Sequence, residues 1–396
     1  MYAQAVIVLI GFSGFVGLSI VIPVLPHYAA AYGASAFGAT LAFAIAAGVA
    51  MFSSILWGRL SDLVGRKPII VVSLLGQSAA FLWLAFAGSL TEVYAARALE
   101  GFFVGSVPAL FAAMADVTSE EQRAGAMGRL GVGTTAGFIV GPVLGGILTT
   151  AFTDAPSFFP PFFFTSSVFV VLAVAVIFVL PESRSRQARD AAKAHDRQSF
   201  GQRARAYLHP RLSVPMLGAT MVSFASNSTS AIFALWALAR FGWGVAETSY
   251  AITAMAALVM AWKLASGWLA RTFGTVGLLT LTQGAVVVAF GGLVFVDGVV
   301  PLYLLLVVAA FGNGLGRTAA QTMTSINAGA DRRGEALGVQ GTLSSAATAG
   351  GPLLAGWLFV TLSPNAPFAV IAGVGAVVFA VTGAYLLVQS RRGIAG

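Results

Sequence analysis

Long apolar stretches with few charges follow one another along the chain at residues 4–26, 36–57, 68–88, 92–115, 127–150, 161–181, 212–238, 247–270, 274–295, 301–325, 336–361 and 366–389. A spanning α-helix takes about 20 mainly apolar residues, so each stretch predicts one crossing of a bilayer and the connections between them are short. The first stretch starts close to Met1, with no basic segment before it and no small-residue cleavage site after it, and is expected to be retained as a helix. The pattern predicts an all-α membrane protein of twelve transmembrane helices.

Composition agrees. Of 396 residues 58% are hydrophobic and 9% charged, against about 25% charged in a soluble domain. That excludes a water-soluble globule, because a bilayer accepts apolar outer faces and water does not. With no cysteine there can be no disulfide, thiolate metal site or thiol catalysis, and three scattered histidines leave little for any other metal. Nothing in the composition calls for a cofactor, and none is expected. The 22 basic residues outnumber the 14 acidic ones, an excess that in a soluble chain would suggest nucleic acid. Here it reports orientation, and no nucleic-acid partner is expected. Eighteen of the bases fall on one set of alternate connections, among them Arg59, Arg66, Lys67, Arg123, Arg129, Arg271, Arg332, Arg333, Arg391 and Arg392, and only Arg240 falls on the other. The rich side is predicted to be cytoplasmic, with both termini, in an inner or plasma membrane.

One long polar segment, residues 182–211, carries eight bases and three acids. It reads as an inner linker, with a surface helix on anionic lipid as the sharper alternative. On either side of it the chain repeats. At an offset of about 209, Gly58, Asp62, Gly65, Tyr94 and Gly105 fall on Gly267, Arg271, Gly274, Tyr303 and Gly314; one residue more pairs Arg123, Gly128, Gly141, Pro142 and Gly146 with Arg333, Gly338, Gly351, Pro352 and Gly356. The expected organisation is two pseudo-symmetric six-helix bundles, 1–181 and 212–396, joined by the basic linker. Two such halves suit alternating access to a site near the membrane midplane.

The run Gly58-Arg-Leu-Ser-Asp62-Leu-Val-Gly65-Arg66-Lys67-Pro68 between the second and third stretches resembles the GxLxDxxGRK signature of the major facilitator superfamily. Gly58 would let helices approach, Gly65 would permit a turn, and Asp62 with Arg66 can form an ion pair that another state must break. The resemblance implies a gating loop that locks the outward-facing state, with an acid at the inner end of the fourth helix sharing the arginine; Asp116 fits that place. The second copy has Arg271 where the acid should stand, so the gate is expected to be asymmetric. In the fourth stretch Arg97-Ala-Leu-Glu100-Gly101 is similar to the family's RxxQG motif, with glutamate for glutamine. Three residues apart on a helix, Arg97 and Glu100 share a face and can pair. Glu100 is the one acid well inside a stretch, and intramembrane acids are functional candidates. It is either a proton carrier modulated by Arg97 or half of a static structural pair.

Gly137-Phe-Ile-Val-Gly141-Pro142-Val-Leu-Gly145-Gly146 matches every fixed position of the GxxxGPxxGG motif of the twelve-helix drug:proton antiporter branch. Small residues four apart make a flat packing face and Pro142 removes a backbone hydrogen bond, so the resemblance implies a hinge and a seal against proton leak, and export. Gly17, Pro23 and Pro26 resemble the GxxxxxPxxP of the same branch, which includes tetracycline exporters, but Ser13 and Gly14 stand where those exporters have an acid.

By the same resemblance the first, fourth, seventh and tenth helices line a central cavity. Asn313, Arg317 and Gln321 make a polar stripe at four-residue steps on the tenth, and Asn227, Phe233 and Trp236 put polar and aromatic surface on the seventh. Ser228 and Thr229 more naturally bond their own backbone. Lys263 stands about 6 Å of helix rise from Gly267 and can snorkel, whereas Arg317 lies deeper. Three intramembrane cations against one acid favour an anionic or zwitterionic cargo. The expected function is a proton-coupled exporter (antiporter) of a small amphipathic organic compound, its partners being that molecule, protons and the bilayer, and its state monomeric. The alternatives are a flippase or exporter of a lipid-like anion, a non-transporting sensor and a membrane enzyme, although an enzyme would gather acids and histidines that here are dispersed.

Overall fold

The computed structural model describes residues 2–151, 157–180 and 209–391. All regular structure among them is helical: α1 (Tyr2–Ala31), α2 (Ala36–Val64), α3 (Arg66–Phe86), α4 (Leu90–Val104), α5 (Val107–Asp116), α6 (Glu120–Thr150), α7 (Phe159–Val179), α8 (Pro210–Phe241), α9 (Val245–Phe295), α10 (Val299–Thr361) and α11 (Ala366–Arg391). Most of the 182–211 linker lies outside the described residues.

Helix starts are written in the sequence. Ser35 accepts from the Gly38 amide of α2. At α4 the Ser89 hydroxyl accepts from Glu92 N while the Glu92 carboxylate accepts from Gly88 N, a reciprocal cap that satisfies two orphan donors. Two departures from one helix per stretch have physical causes. The fourth stretch divides into α4 and α5 at Gly105-Ser106, since Pro108 cannot donate to the Val104 carbonyl. Conversely, α9 runs for 51 residues, roughly 75 Å at 1.5 Å per residue, more than twice a bilayer core. Its break is Gly274, at φ 68° and ψ 166°, and the repeat partner Gly65 ends α2 at φ 117° and ψ 166°. Only glycine takes such backbone readily, so the same device ends the same loop in both repeats. α10 likewise holds two spans, Val299–Ala328 and Arg333–Thr361. Counting α4 with α5 as one crossing, the described helices make twelve spans.

The helices form two compact units. The first holds α1–α7 and also Trp243–Thr253, the opening turns of α9; the second holds α8, the rest of α9, α10 and α11. The first unit's core gathers Ile7, Ile20, Leu25, Phe81, Leu84, Met114, Leu130, Phe162 and Phe169, and Tyr28 closes it by donating to the carbonyls of Leu84 (2.8 Å) and Ala87 (3.2 Å). The second unit is built around Trp236, ringed by Phe233, Phe241 and Phe368. Phe52, Ile55, Val171, Phe178, Leu264, Phe295 and Val300 are exposed, as expected of faces that meet lipid.

Candidate functional site

The loop between α2 and α3 is organised by Arg66. Its guanidinium pairs with Asp62 (3.1 Å) and Asp116 (3.0 Å) and donates to Ser61 Oγ (2.8 Å). The acid at the C-terminal end of α5 thus does share the arginine. Asp62 and Asp116 are 45% and 29% exposed, so solvent screens the group and it can be remade at low cost. Lys67 donates to the Ile177 carbonyl at 2.7 Å, capping the end of α7. Gly58 departs from expectation: a Cβ there would meet nothing within 4 Å, so close helix approach does not explain it.

In α4, Arg97 and Glu100 form an ion pair with the residues 6% and 1% exposed. Arg97 Nε also donates to the Ala42 carbonyl at 3.3 Å, and its guanidinium lies 5.8 Å from the centroid of the Phe43 ring. The pair reaches α2 because the next residue is Gly101, whose Cβ would lie 2.2 Å from the Ala46 carbonyl oxygen. Each charge offsets the other's burial, and removing one partner of such a pair typically costs about 3–5 kcal/mol.

The glycines of α6 pack inside the first unit, on α1. A Cβ would lie 2.1 Å from Phe12 O at Gly137, 2.0 Å from Ser19 Oγ at Gly141, and 2.9 Å from Ile20 O at Gly145, whereas Gly146 meets Ser249 and Ala246 at the start of α9. Pro142 lies in a helix that is continuous from Glu120 to Thr150.

The second unit contains a cavity of about 640 Å³ between α8 and the two spans of α10. Arg317 and Gln321 line it, both exposed, with Thr322, Ser325, Gln340, Ser344, Ser345 and Thr348. No carboxylate among the described residues lines it. Arg317 is held by a bond from Nη2 to Ser223 Oγ (2.8 Å) and is a cavity residue, not a deeply buried one. Lys263 is exposed, as snorkelling requires. Asn227 is positioned at the rim, donating to Ser223 O (2.9 Å) and Thr348 Oγ1 (3.2 Å). Both side-chain polar atoms of Asn313 are buried without a partner among the described residues. Thr229 bonds the Ala225 carbonyl, the backbone role expected of it.

Phe233 and Trp236 require correction. They are buried core residues, and the Trp236 indole donates to Asn365 Oδ1 at 2.8 Å. An aromatic beside polar residues on a membrane helix reads equally as pocket wall or packing, and a remote asparagine that satisfies the indole decides for packing. The residues missed are Gln340, Ser344, Ser345 and Thr348. Their signal was present as polar positions at 340, 344, 345 and 348, one helix face in a span otherwise rich in alanine and glycine.

The family model of the Major Facilitator Superfamily matches residues 7–349. The chain belongs to that superfamily. Its members are transporters rather than enzymes, and this chain is accordingly a multi-pass membrane protein that handles small molecules. It is 29% identical over 368 residues to multidrug resistance protein 2 of Bacillus subtilis, covering 90% of this chain and 88% of that one. It is also 29% identical over 357 residues to the class B tetracycline resistance protein of Escherichia coli, covering 85% and 84%. Among solved structures it resembles the human organic anion transporter MFSD10, at a TM-score of 0.70 and 19% identity over 96% of this chain and 99% of that one. The nucleoside transporter NupG aligns at a TM-score of 0.79 and 12% identity over 96% and 99%. These two support the fold alone. Within this superfamily the chain's resistance-protein relatives match the drug:proton antiporter branch to which its α6 glycines point.

Proposed function

We propose that the protein is a proton-driven exporter of small amphipathic organic compounds bearing an anionic or zwitterionic group, working by alternating access in the plasma membrane with both termini cytoplasmic. The observation that carries this reading is the pair Arg97 and Glu100, a carboxylate enclosed inside the first unit with one arginine to hold it ionised. A carboxylate so enclosed takes up a proton whenever the arginine is drawn away, which is what coupling to a proton gradient requires. The resistance-protein relatives support export. The cavity of the second unit, with Arg317 and no acid on its wall, supports an anionic group on the cargo. Ser13 and Gly14 in place of an acid on α1 argue against tetracycline itself.

The test is transport by the purified protein in proteoliposomes under an imposed pH gradient. The expected result is substrate movement against proton flow in the wild type. Glu100→Gln should retain binding and counterflow exchange but lose acceleration by the gradient. If Glu100→Gln is driven as well as wild type, Glu100 is not the carrier and the pair is structural.

A further inference from the structure

One member of the second unit's cavity wall is not used by the exporter reading. Gln340 is 2% exposed, and neither its Nε2 nor its Oε1 has a hydrogen-bond partner among the described residues, although it shares the cavity with Arg317. A buried amide left unbonded at both ends is costly and uncommon. Its donor and acceptor lie side by side, and a group that satisfies both at once is the edge of an extended N-acyl amino acid, whose N–H and carboxylate oxygen lie on the same side, the N–H and C=O of a single trans amide pointing apart. Arg317 uses one nitrogen on Ser223, and the guanidinium has further donors in a planar fork suited to a carboxylate or phosphate. The hydroxyls of Ser344, Ser345 and Thr348 extend the polar wall, and about 640 Å³ lies within the 300–1,000 Å³ usual for drug-sized ligands.

We propose that this cavity selects organic anions that carry an amide next to the charge, of the N-acyl amino acid or peptide-like carboxylate type, with the carboxylate shared between Arg317 and the Gln340 Nε2 donor and the amide N–H donated to Gln340 Oε1. The proposal rests on the exporter reading and narrows its cargo. It separates two contributions that a generic anion site would merge. Loss of the charge is felt at Arg317, and loss of the amide N–H at Gln340, where the amide oxygen would then be left unpaired.

Three probes with the same decanoyl chain make the test: N-decanoylglycine, its ester analogue decanoyloxyacetate, which lacks the N–H, and N-decanoylglycine methyl ester, which lacks the charge. Binding is measured by titration calorimetry on the full chain in nanodiscs. Wild type should prefer N-decanoylglycine to each analogue by about tenfold, the scale of one well-made hydrogen bond to a buried partner. Arg317→Gln should abolish the preference over the methyl ester and keep that over decanoyloxyacetate; Gln340→Leu should do the reverse. Wild-type protein that binds all three equally overturns the proposal even if both variants fail to fold, and so does a Gln340→Leu protein that still rejects the ester analogue. Proteoliposome flux with the same probes separates the two readings. The full binding pattern without proton-driven movement upholds the cavity assignment and defeats export, whereas driven movement without the pattern defeats the cavity assignment and leaves export standing.

Discussion

The repeat places the same helix crossing in both units, and the two crossings differ in what they leave between the helices. In the first unit Gly133, Gly137, Gly141 and Gly145 step along α6 by four residues. They meet the carbonyls of Val8, Phe12, Val16 and Ile20, which step along α1 by the same four, at 3.2, 2.1, 2.5 and 2.9 Å from where a Cβ would stand. Ser19 lies in the crossing and is satisfied, donating to Phe15 O and Gly137 O. The repeat positions in α10 are Leu343, Ala347, Gly351 and Ala355. Only Gly351 keeps the close approach, to Ser228 Oγ at 2.6 Å and Phe224 O at 3.2 Å, and Ser228, the counterpart of Ser19, has a buried hydroxyl with no partner. Beside that close approach, Ser344, Ser345 and Thr348 line the cavity, and Thr348 also accepts from Asn227. Three side chains in place of three glycines therefore replace a continuous seam with one close approach and room beside it, consistent with the general need for small residues where membrane helices touch.

The largest expected effect tests the seam. Gly137→Ala would drive a Cβ into the Phe12 carbonyl, which is backbone and cannot rotate away. The folded protein should be lost, or destabilised by more than about 4 kcal/mol, the range reserved for severe overpacking of a core. Gly351→Ala meets a serine hydroxyl that can turn, and should cost no more than about 1–2 kcal/mol. Thermal unfolding of the two variants in detergent, followed by size-exclusion fluorescence, compares them directly. Equal losses would mean that the crossings are the same after all.

Charge follows the same division. The first unit encloses Arg97 with its own counter-ion, whereas the second exposes Arg317 on a cavity wall with no acid. Arg97→Leu strands Glu100 and should destabilise by about 3–5 kcal/mol, partly relieved at low pH where the carboxyl is neutral. Arg317→Leu removes a cavity cation and should alter stability by less than about 1 kcal/mol while weakening anion binding at least tenfold. A variant pair with the opposite ranking would exchange the roles assigned to the two cations.

The features the sequence disclosed and those it hid divide along a physical line. Spans were legible because about 20 apolar residues in a row have few other uses, and the matched turns at Gly65 and Gly274 were legible because glycine at a loop is a backbone requirement. Arg97 with Glu100 was legible because charges inside a membrane need partners, whereas Arg66 with Asp116 was legible only through the resemblance of the loop to its family. Hidden were the division of the fourth span at Gly105-Ser106, where the signal was one proline, and the membership of the cavity. Periodicity shows that residues 340, 344, 345 and 348 share a face; whether that face meets a helix or a void depends on the neighbour's side chains. Phe233 and Trp236 failed in the opposite sense, because Asn365, which satisfies the indole, lies 129 residues away.

The smallest effect concerns the two copies of the loop. In the first, Arg66 joins Asp62 and Asp116; in the second, Arg271 occupies the acid's position, is exposed, and makes no ion pair among the described residues. Asp116→Asn leaves Arg66 its bonds to Asp62 and Ser61, and the lost pair is partly screened, so stability should fall by about 0.2–1 kcal/mol. Arg271→Ala removes a solvated charge and should leave stability within measurement error. The more telling readout is transport. Asp116 belongs to a group that must be remade between states if the loop gates, so Asp116→Asn should change the turnover rate by more than its slight effect on stability would suggest, while Arg271→Ala leaves turnover as in wild type. If the two substitutions alter turnover equally, the second loop gates as the first does, by a contact that does not need the acid, and the asymmetry between the copies is one of sequence alone.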